Sequence, residues 1–210
     1  MSNDARMRLI LELRQKGITD GRVLAAIERT PRADFVESHL ESLGWADAAL
    51  PLIDGVEAPP PSECARMLMA LEPSEEDVVL EVGVGSGWQS AVLSRLCARV
   101  IGLERRAGLA SAARERLRTR AYGLVDVYCA DGLLGWPESA PYNRIIVNAA
   151  LKDETPALFA QLKPGGVIVA PVEGERGQRI MQMRRGEDGG FSVRVFGPSR
   201  FAPIENGLVN

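Results

Sequence analysis

Three glycines at alternate positions, Gly83, Gly85 and Gly87, stand where an apolar run gives way to a helix-forming one. The whole stretch reads Val79-Leu80-Glu81-Val82-Gly83-Val84-Gly85-Ser86-Gly87-Trp88-Gln89. Glycine lets the backbone turn sharply and lets a ligand approach where a Cβ would block it. A glycine-rich turn between a strand and a helix is the usual cradle for a nucleotide-like cofactor. The spacing is G-x-G-x-G and not the G-x-G-x-x-G of pyrophosphate-binding sites, which favours a cofactor without a phosphate chain. S-adenosylmethionine is the candidate, with a purely structural turn as the competing reading. Val84 and Ser86 between the glycines, and Gln89 at the start of the following helix, belong to the same candidate cradle.

Acidic residues fall where a cofactor of that kind needs them. Glu104 ends the next β-like run, about 20 residues after the first glycine, where a carboxylate can accept hydrogen bonds from a ribose diol. Arg105 follows it directly; the bland alternative for Glu104 is a strand-end charge paired with Arg105 or Arg106. Asp131, before Gly132, ends the third such run and can accept from an adenine amino group or simply form a turn. Glu81 lies inside the first strand, and a buried carboxylate is costly unless hydrogen-bonded. It is expected to bond loop amides or the amino-acid end of the cofactor.

Composition narrows the field. The chain has 210 residues, 46% of them apolar, which suits one domain, residues 1–210. A net charge of −3 gives no electrostatic footprint for nucleic acid or an anionic membrane. No run approaches the roughly 20 apolar residues of a membrane span. The start Met1-Ser2-Asn3-Asp4 leads into a charged amphipathic helix and not a signal peptide, so a cytoplasmic protein is expected. Cys64, Cys97 and Cys129 are isolated and fit neither a zinc site nor a disulfide framework. A lone histidine, His39, argues against a histidine metal site or a Ser-His-Asp triad. No metal is expected.

The elements that must position these residues follow from periodicity. Residues 1–72 read as an N-terminal helical cap: a helix over 7–16 stopped by Gly17, and a second capped by Thr19-Asp20. An extended piece at 46–52 leads to a proline-rich loop over 54–62, and a third helix runs over 62–71. In the core, 73–175, strands at 78–82, 99–104, 125–129, 144–148 and 167–171 alternate with helices at 88–97, 107–119 and 156–162, the last capped by Thr155 and turned into the next strand by Lys163–Gly166. This alternation predicts an α/β fold with a mostly parallel sheet. Residues 176–210 add an antiparallel hairpin, 179–184 with 191–196, and a tail from Glu205 to Asn210 expected to fray.

At this level the chain resembles the protein-L-isoaspartate O-methyltransferases. The glycine stretch carries the resemblance, as do Ala130-Asp131-Gly132, Gly135-Trp136-Pro137 and the run from Pro141 to Ala150. Gln161 to Gly166 and Arg200-Phe201-Ala202-Pro203-Ile204 fit as well, and so do the N-terminal stretches Arg22–Ile27, Pro31–Val36 and Asp47–Pro51. The resemblance implies a Rossmann-like S-adenosylmethionine-dependent methyltransferase fold with a seven-stranded type of sheet. It also implies methylation of the free carboxylate of L-isoaspartyl residues in damaged proteins or peptides, a repair reaction.

The acceptor side departs from that pattern. The family has a Gly-x-Thr-Ile-Ser-x-Pro loop, whereas this chain reads Gly55-Val56-Glu57-Ala58-Pro59-Pro60-Pro61. Glu57 stands at the threonine position and Pro59 at the serine position, and a proline offers neither hydroxyl nor N–H. Ser62 could supply the missing hydroxyl by a local shift. An already ionised carboxylate acceptor needs no general base, so the lack of a catalytic His or Lys fits carboxyl methylation. Glu57 could instead serve as a base toward a hydroxyl or amine acceptor. Three readings follow: an isoaspartyl methyltransferase with a drifted loop, a methyltransferase for a modified peptide or small metabolite, and a non-catalytic binder.

Overall fold

The computed structural model describes residues 3–152 and 155–209, with Asp54 by its backbone alone. The first helix, α1 (Asn3–Gln15), begins earlier than its periodicity suggests and buries Leu9 and Leu13. Helix α2 (Gly21–Glu28) starts where expected, because the Asp20 carboxylate accepts from the N–H groups of Arg22 and Val23. Two short 3₁₀ turns follow, Arg32–Phe35 and Ser38–Leu43, and His39 lies exposed in the second.

The proline-rich segment is more ordered than a loop. Strands β1 (Leu50–Pro51) and β2 (Glu57–Ala58) close a small antiparallel ladder pairing Leu50 with Ala58 and Pro51 with Glu57. Helix α3 (Pro61–Leu71) then begins with Pro61 in the first turn, where a missing N–H costs nothing.

Seven further strands form one sheet: β3 (Val78–Val82), β4 (Arg99–Glu104), β5 (Val125–Cys129), β6 (Tyr142–Val147), β7 (Leu162–Val172), β8 (Arg179–Arg185) and β9 (Phe191–Pro198). Their order is β5-β4-β3-β6-β7-β8-β9. The pairs from β5 to β7 are parallel, and β7-β8-β9 are antiparallel, as the hairpin pattern predicts. Helices α4 (Trp88–Leu93), α5 (Ala107–Thr119) and α6 (Pro156–Ala160) connect the parallel strands. Helix α4 stops four residues short of its predicted end; Arg95 N and Leu96 N bond Val92 O and Leu93 O in a turn instead. Lys163–Gly166 does not end the preceding helix but bulges inside β7, between the pairs Tyr142–Leu162 and Arg144–Val167.

Alternate residues of each strand feed two cores. One face (Val79, Val100, Ile146, Val167) packs with α4, α5 and the N-terminal helices, through Leu13, Ile27, Met67 and Leu68. The other (Leu80, Ile101, Ile145, Ile168) packs with Leu158, Leu162 and Tyr142. The helical cap therefore shares its core with the sheet. Among the described residues no helix is long and apolar enough to cross a membrane.

The tail is docked rather than frayed. Val209 pairs with Arg106, its N–H bonding Arg105 O and its carbonyl accepting from Ala107 N. Asn210, the last residue of the expected frayed segment, lies outside the described residues.

Candidate active site

The C-terminal ends of β3, β4, β5 and β6 meet at one edge of the sheet, where open α/β folds bind ligands. Strand β3 delivers the glycine turn. Gly83, Gly85 and Gly87 all take positive φ, +83°, +56° and +88°, which L side chains rarely adopt. A Cβ on Gly87 would also lie 3.3 Å from the Ala113 Cβ on α5. Replacing Gly87 by alanine is expected to destabilise the protein by roughly 1–2 kcal/mol through left-handed strain. An unchanged urea midpoint for that variant would contradict the strain.

A cavity joins this turn to the acceptor loop. Gly83, Val84, Gly85, Ser86 and Gln89 line it on one side, Glu57, Ala58 and Pro59 on the other, with Glu104 and Asn148 between them. Glu104 is 6% exposed, and its Oε2 accepts from Gly85 N and its Oε1 from Arg106 N, both at 3.0 Å. These bonds fix the carboxylate at the strand end and couple it to the glycine turn. Gly102 behind it is also required, because a Cβ there would sit 2.5 Å from Val84 Cγ2.

Glu81 does not bond loop amides. It is fully buried behind the turn, accepting from the Ser90 hydroxyl and, at 3.0 Å, from Asn148 Nδ2. Burial pushes its carboxyl up to about 7, against the lowering effect of those donors. A chain of orientations follows. Asn148 must give its amide N–H groups to Glu81 and to Gly83 O (3.1 Å), so its Oδ1 faces Gln89 and accepts from Nε2 at 2.8 Å. That leaves Gln89 Oε1 as a buried acceptor with no partner among the described residues. An orphaned acceptor beside the glycine turn suits a cationic donor such as a ligand ammonium. Asn148 and Ser90 were not among the sequence candidates. Asn148 carries the same signal as Glu104, a polar residue at the end of an apolar strand.

Three candidates are placed differently from expectation. Arg105 gives its guanidinium to the tail, donating to Gly207 O (2.9 Å), Asn206 O (3.0 Å) and the Glu205 carboxylate. Asp131 bonds Leu133 N at 3.0 Å and Gly207 N at 2.7 Å, so the tail crosses the strand end assigned to adenine. Gly132 lies beside it with no room for a side chain, since a Cβ would stand 2.3 Å from Val82 Cγ1. Ser62 is outside the cavity, and its N–H donates to Asp47 Oδ1 at 2.8 Å. Burial disfavours the Asp47 anion, but Lys16 and the N–H and hydroxyl of Ser62 outweigh it and hold the carboxyl below its ordinary range. Asp47 therefore satisfies an N–H of the first turn of α3 through Ser62, and the acceptor loop is left without a serine hydroxyl.

Arg32 sets the position of that loop. It is 1% exposed and donates to Ala48 O (2.8 Å), Ala58 O (3.2 Å) and Pro59 O (3.0 Å), with its guanidinium 5.7 Å from the Trp88 ring centroid. Cys64 lines the same cavity as a neutral thiol, because burial pushes it up to about 12.

Comparison with known proteins agrees with this architecture. The model of the family described as protein-L-isoaspartate(D-aspartate) O-methyltransferase matches residues 4–208. A protein-L-isoaspartate O-methyltransferase of Pseudomonas syringae pv. tomato is 44% identical over 211 residues, covering 99% of both chains. One from Paracoccus denitrificans is 41% identical over 206 residues, covering 98% of this chain and 95% of its own. A solved protein-L-isoaspartate O-methyltransferase matches with a TM-score of 0.82 at 24% identity, over 97% of this chain and 67% of that one. A putative Plasmodium falciparum enzyme of the same kind, solved with S-adenosyl-L-homocysteine, also gives 0.82 at 18% identity, over 94% and 97%. Matched from end to end by the family model and by relatives above 40% identity, this chain belongs to the protein-L-isoaspartate(D-aspartate) O-methyltransferase family.

Proposed function

We propose that the chain transfers the methyl group of S-adenosylmethionine to the free carboxylate of L-isoaspartyl residues in proteins or peptides. The observation that carries this reading is the single cavity shared by the glycine turn, Glu104 and the loop 57–59. The residues fit the cofactor. Positive-φ glycines leave the cradle open, Glu104 faces it as a fixed carboxylate, and Gln89 Oε1 is an unsatisfied acceptor. Glu104 would hold a ribose diol, and Gln89 and the turn the amino-acid end, whereas Asp131 is engaged by Leu133 N and Gly207 N and lies outside the cavity. Bound there, S-adenosylmethionine supplies an activated methyl group on a sulfonium.

What the protein adds is position and exclusion of water. Arg32 fixes the backbone of the acceptor loop through Ala58 O and Pro59 O, and the β1–β2 ladder holds it against Leu50 and Pro51. A carboxylate acceptor is ionised at neutral pH and needs no proton removed, so a cavity without His or Lys suits it. The test is radiolabelled methyl incorporation into an isoaspartyl peptide, with its aspartyl counterpart as control. Incorporation specific to the isoaspartyl peptide is expected. Background counts under saturating cofactor would overturn the reading, and calorimetry with S-adenosylhomocysteine would show whether the donor site itself is at fault.

A further inference from the structure

Resting on the isoaspartyl reading above, we infer that this site selects isoaspartyl sequences flanked by lysine or arginine, and that Glu57 is the residue that selects them. Among the described residues, the ionisable side chains lining the cavity include two carboxylates, Glu57 and Glu104, and no lysine, arginine or histidine. Both Glu104 oxygens already accept backbone N–H groups. Glu57 is exposed at the loop, and its carboxylate has no hydrogen-bond or ion-pair partner among the described residues. Pro59, beside it on the cavity wall, has no N–H to offer an anion.

An acceptor carboxylate entering here meets like charge from Glu57, while the cation closest to the loop, Arg32, is buried behind it and spends its N–H groups on the carbonyls of Ala48, Ala58 and Pro59. The loop cannot easily carry Glu57 aside, because Leu52 N bonds Val56 O at 2.7 Å and Arg32 grips the carbonyls of Ala58 and Pro59. A substrate that brings its own cation turns the same group from an obstacle into a contact. Glu57 is thus a specificity-determining residue, acting on the residue next to the damaged one rather than on the reacting carboxylate.

Two isoaspartyl peptides, identical except for lysine or glutamate beside the isoaspartyl residue, test this. For exposed charges a few ångströms apart, kcat/KM is expected to favour the lysine peptide by about tenfold at low ionic strength and much less in 0.5 M salt. In Glu57→Gln, which keeps the side-chain shape, the preference should fall close to parity. Equal methylation of both peptides by the wild-type protein would overturn the inference while leaving isoaspartyl transfer intact. A preference that survives in Glu57→Gln would do the same. Methylation of neither peptide would overturn this inference and the isoaspartyl reading together.

Discussion

Glu104→Ala is expected to weaken binding of S-adenosylhomocysteine by roughly 100-fold, at about tenfold per 1.4 kcal/mol, while leaving the fold in place. Hydrogen bonds to a charged group contribute about 1.5–3 kcal/mol each, and a carboxylate facing a ribose diol makes two of them. Water in the vacated space recovers part of that loss. The side chain also holds Gly85 N and Arg106 N at 3.0 Å, so its removal frees the glycine turn from β4 and loosens the cradle before any ligand arrives. Glu104→Gln separates the two effects. The amide oxygen still holds one of the two N–H groups, but its NH₂ faces the other, so an intermediate loss of about tenfold is expected where one charged contact is given up. Calorimetry measures both. A change below threefold for Glu104→Ala would remove Glu104 as the diol acceptor and leave it as a fastener for the turn.

The fold was legible wherever local chemistry decides it. Strands β3, β4 and β5 have the predicted bounds, because β-branched runs there stop at charged or glycine-rich turns, and helix α5 keeps its bounds as a run rich in the helix formers Ala, Leu and Arg. Bounds fail where tertiary packing decides. The bulge at Lys163–Gly166 arises because the chain must pair Leu162 with Tyr142 before resuming at Val167, and no periodicity encodes that. The tail looked unstructured because what orders it lies far away in sequence. Arg105 and Asp131 reach residues 205–207 across intervals of 76 to 102 positions.

The site divides along the same line. The glycines were legible since no other residue takes three positive φ values within five positions. Glu104 was legible from its place at a strand end. The fate of Ser62 was not, because it depends on Asp47, itself fixed by Lys16 from a different helix. Arg32 carries no role in the sequence beyond its place in the stretch Pro31–Val36, and only the fold shows it buried among three loop carbonyls.

The second large effect is a pH dependence of stability, carried by Glu81. Burial holds its carboxyl at about 7 in the folded protein, with Glu104 adding repulsion, against an ordinary value of 4.5 in the unfolded chain. Between those two pH values the folded state keeps a proton that the unfolded state has lost. Stability therefore falls as pH rises through this window and levels off above about 7, by as much as about 3 kcal/mol at 1.36 kcal/mol per unit. Ser90 makes the neutral form tolerable, since its hydroxyl can accept from a protonated carboxyl as readily as it donates to an ionised one. Glu81→Gln copies that neutral form and keeps an acceptor for Asn148 Nδ2. The variant should match the wild type near pH 4.5 and exceed it increasingly toward pH 8, as urea unfolding across that range would show. Groups that titrate the other way, such as Asp47 with its lowered carboxyl, act equally on both proteins and cancel in the difference. A difference constant with pH would mean that Glu81 is ionised throughout and that Ser90, Asn148 and the residues around them solvate a buried anion.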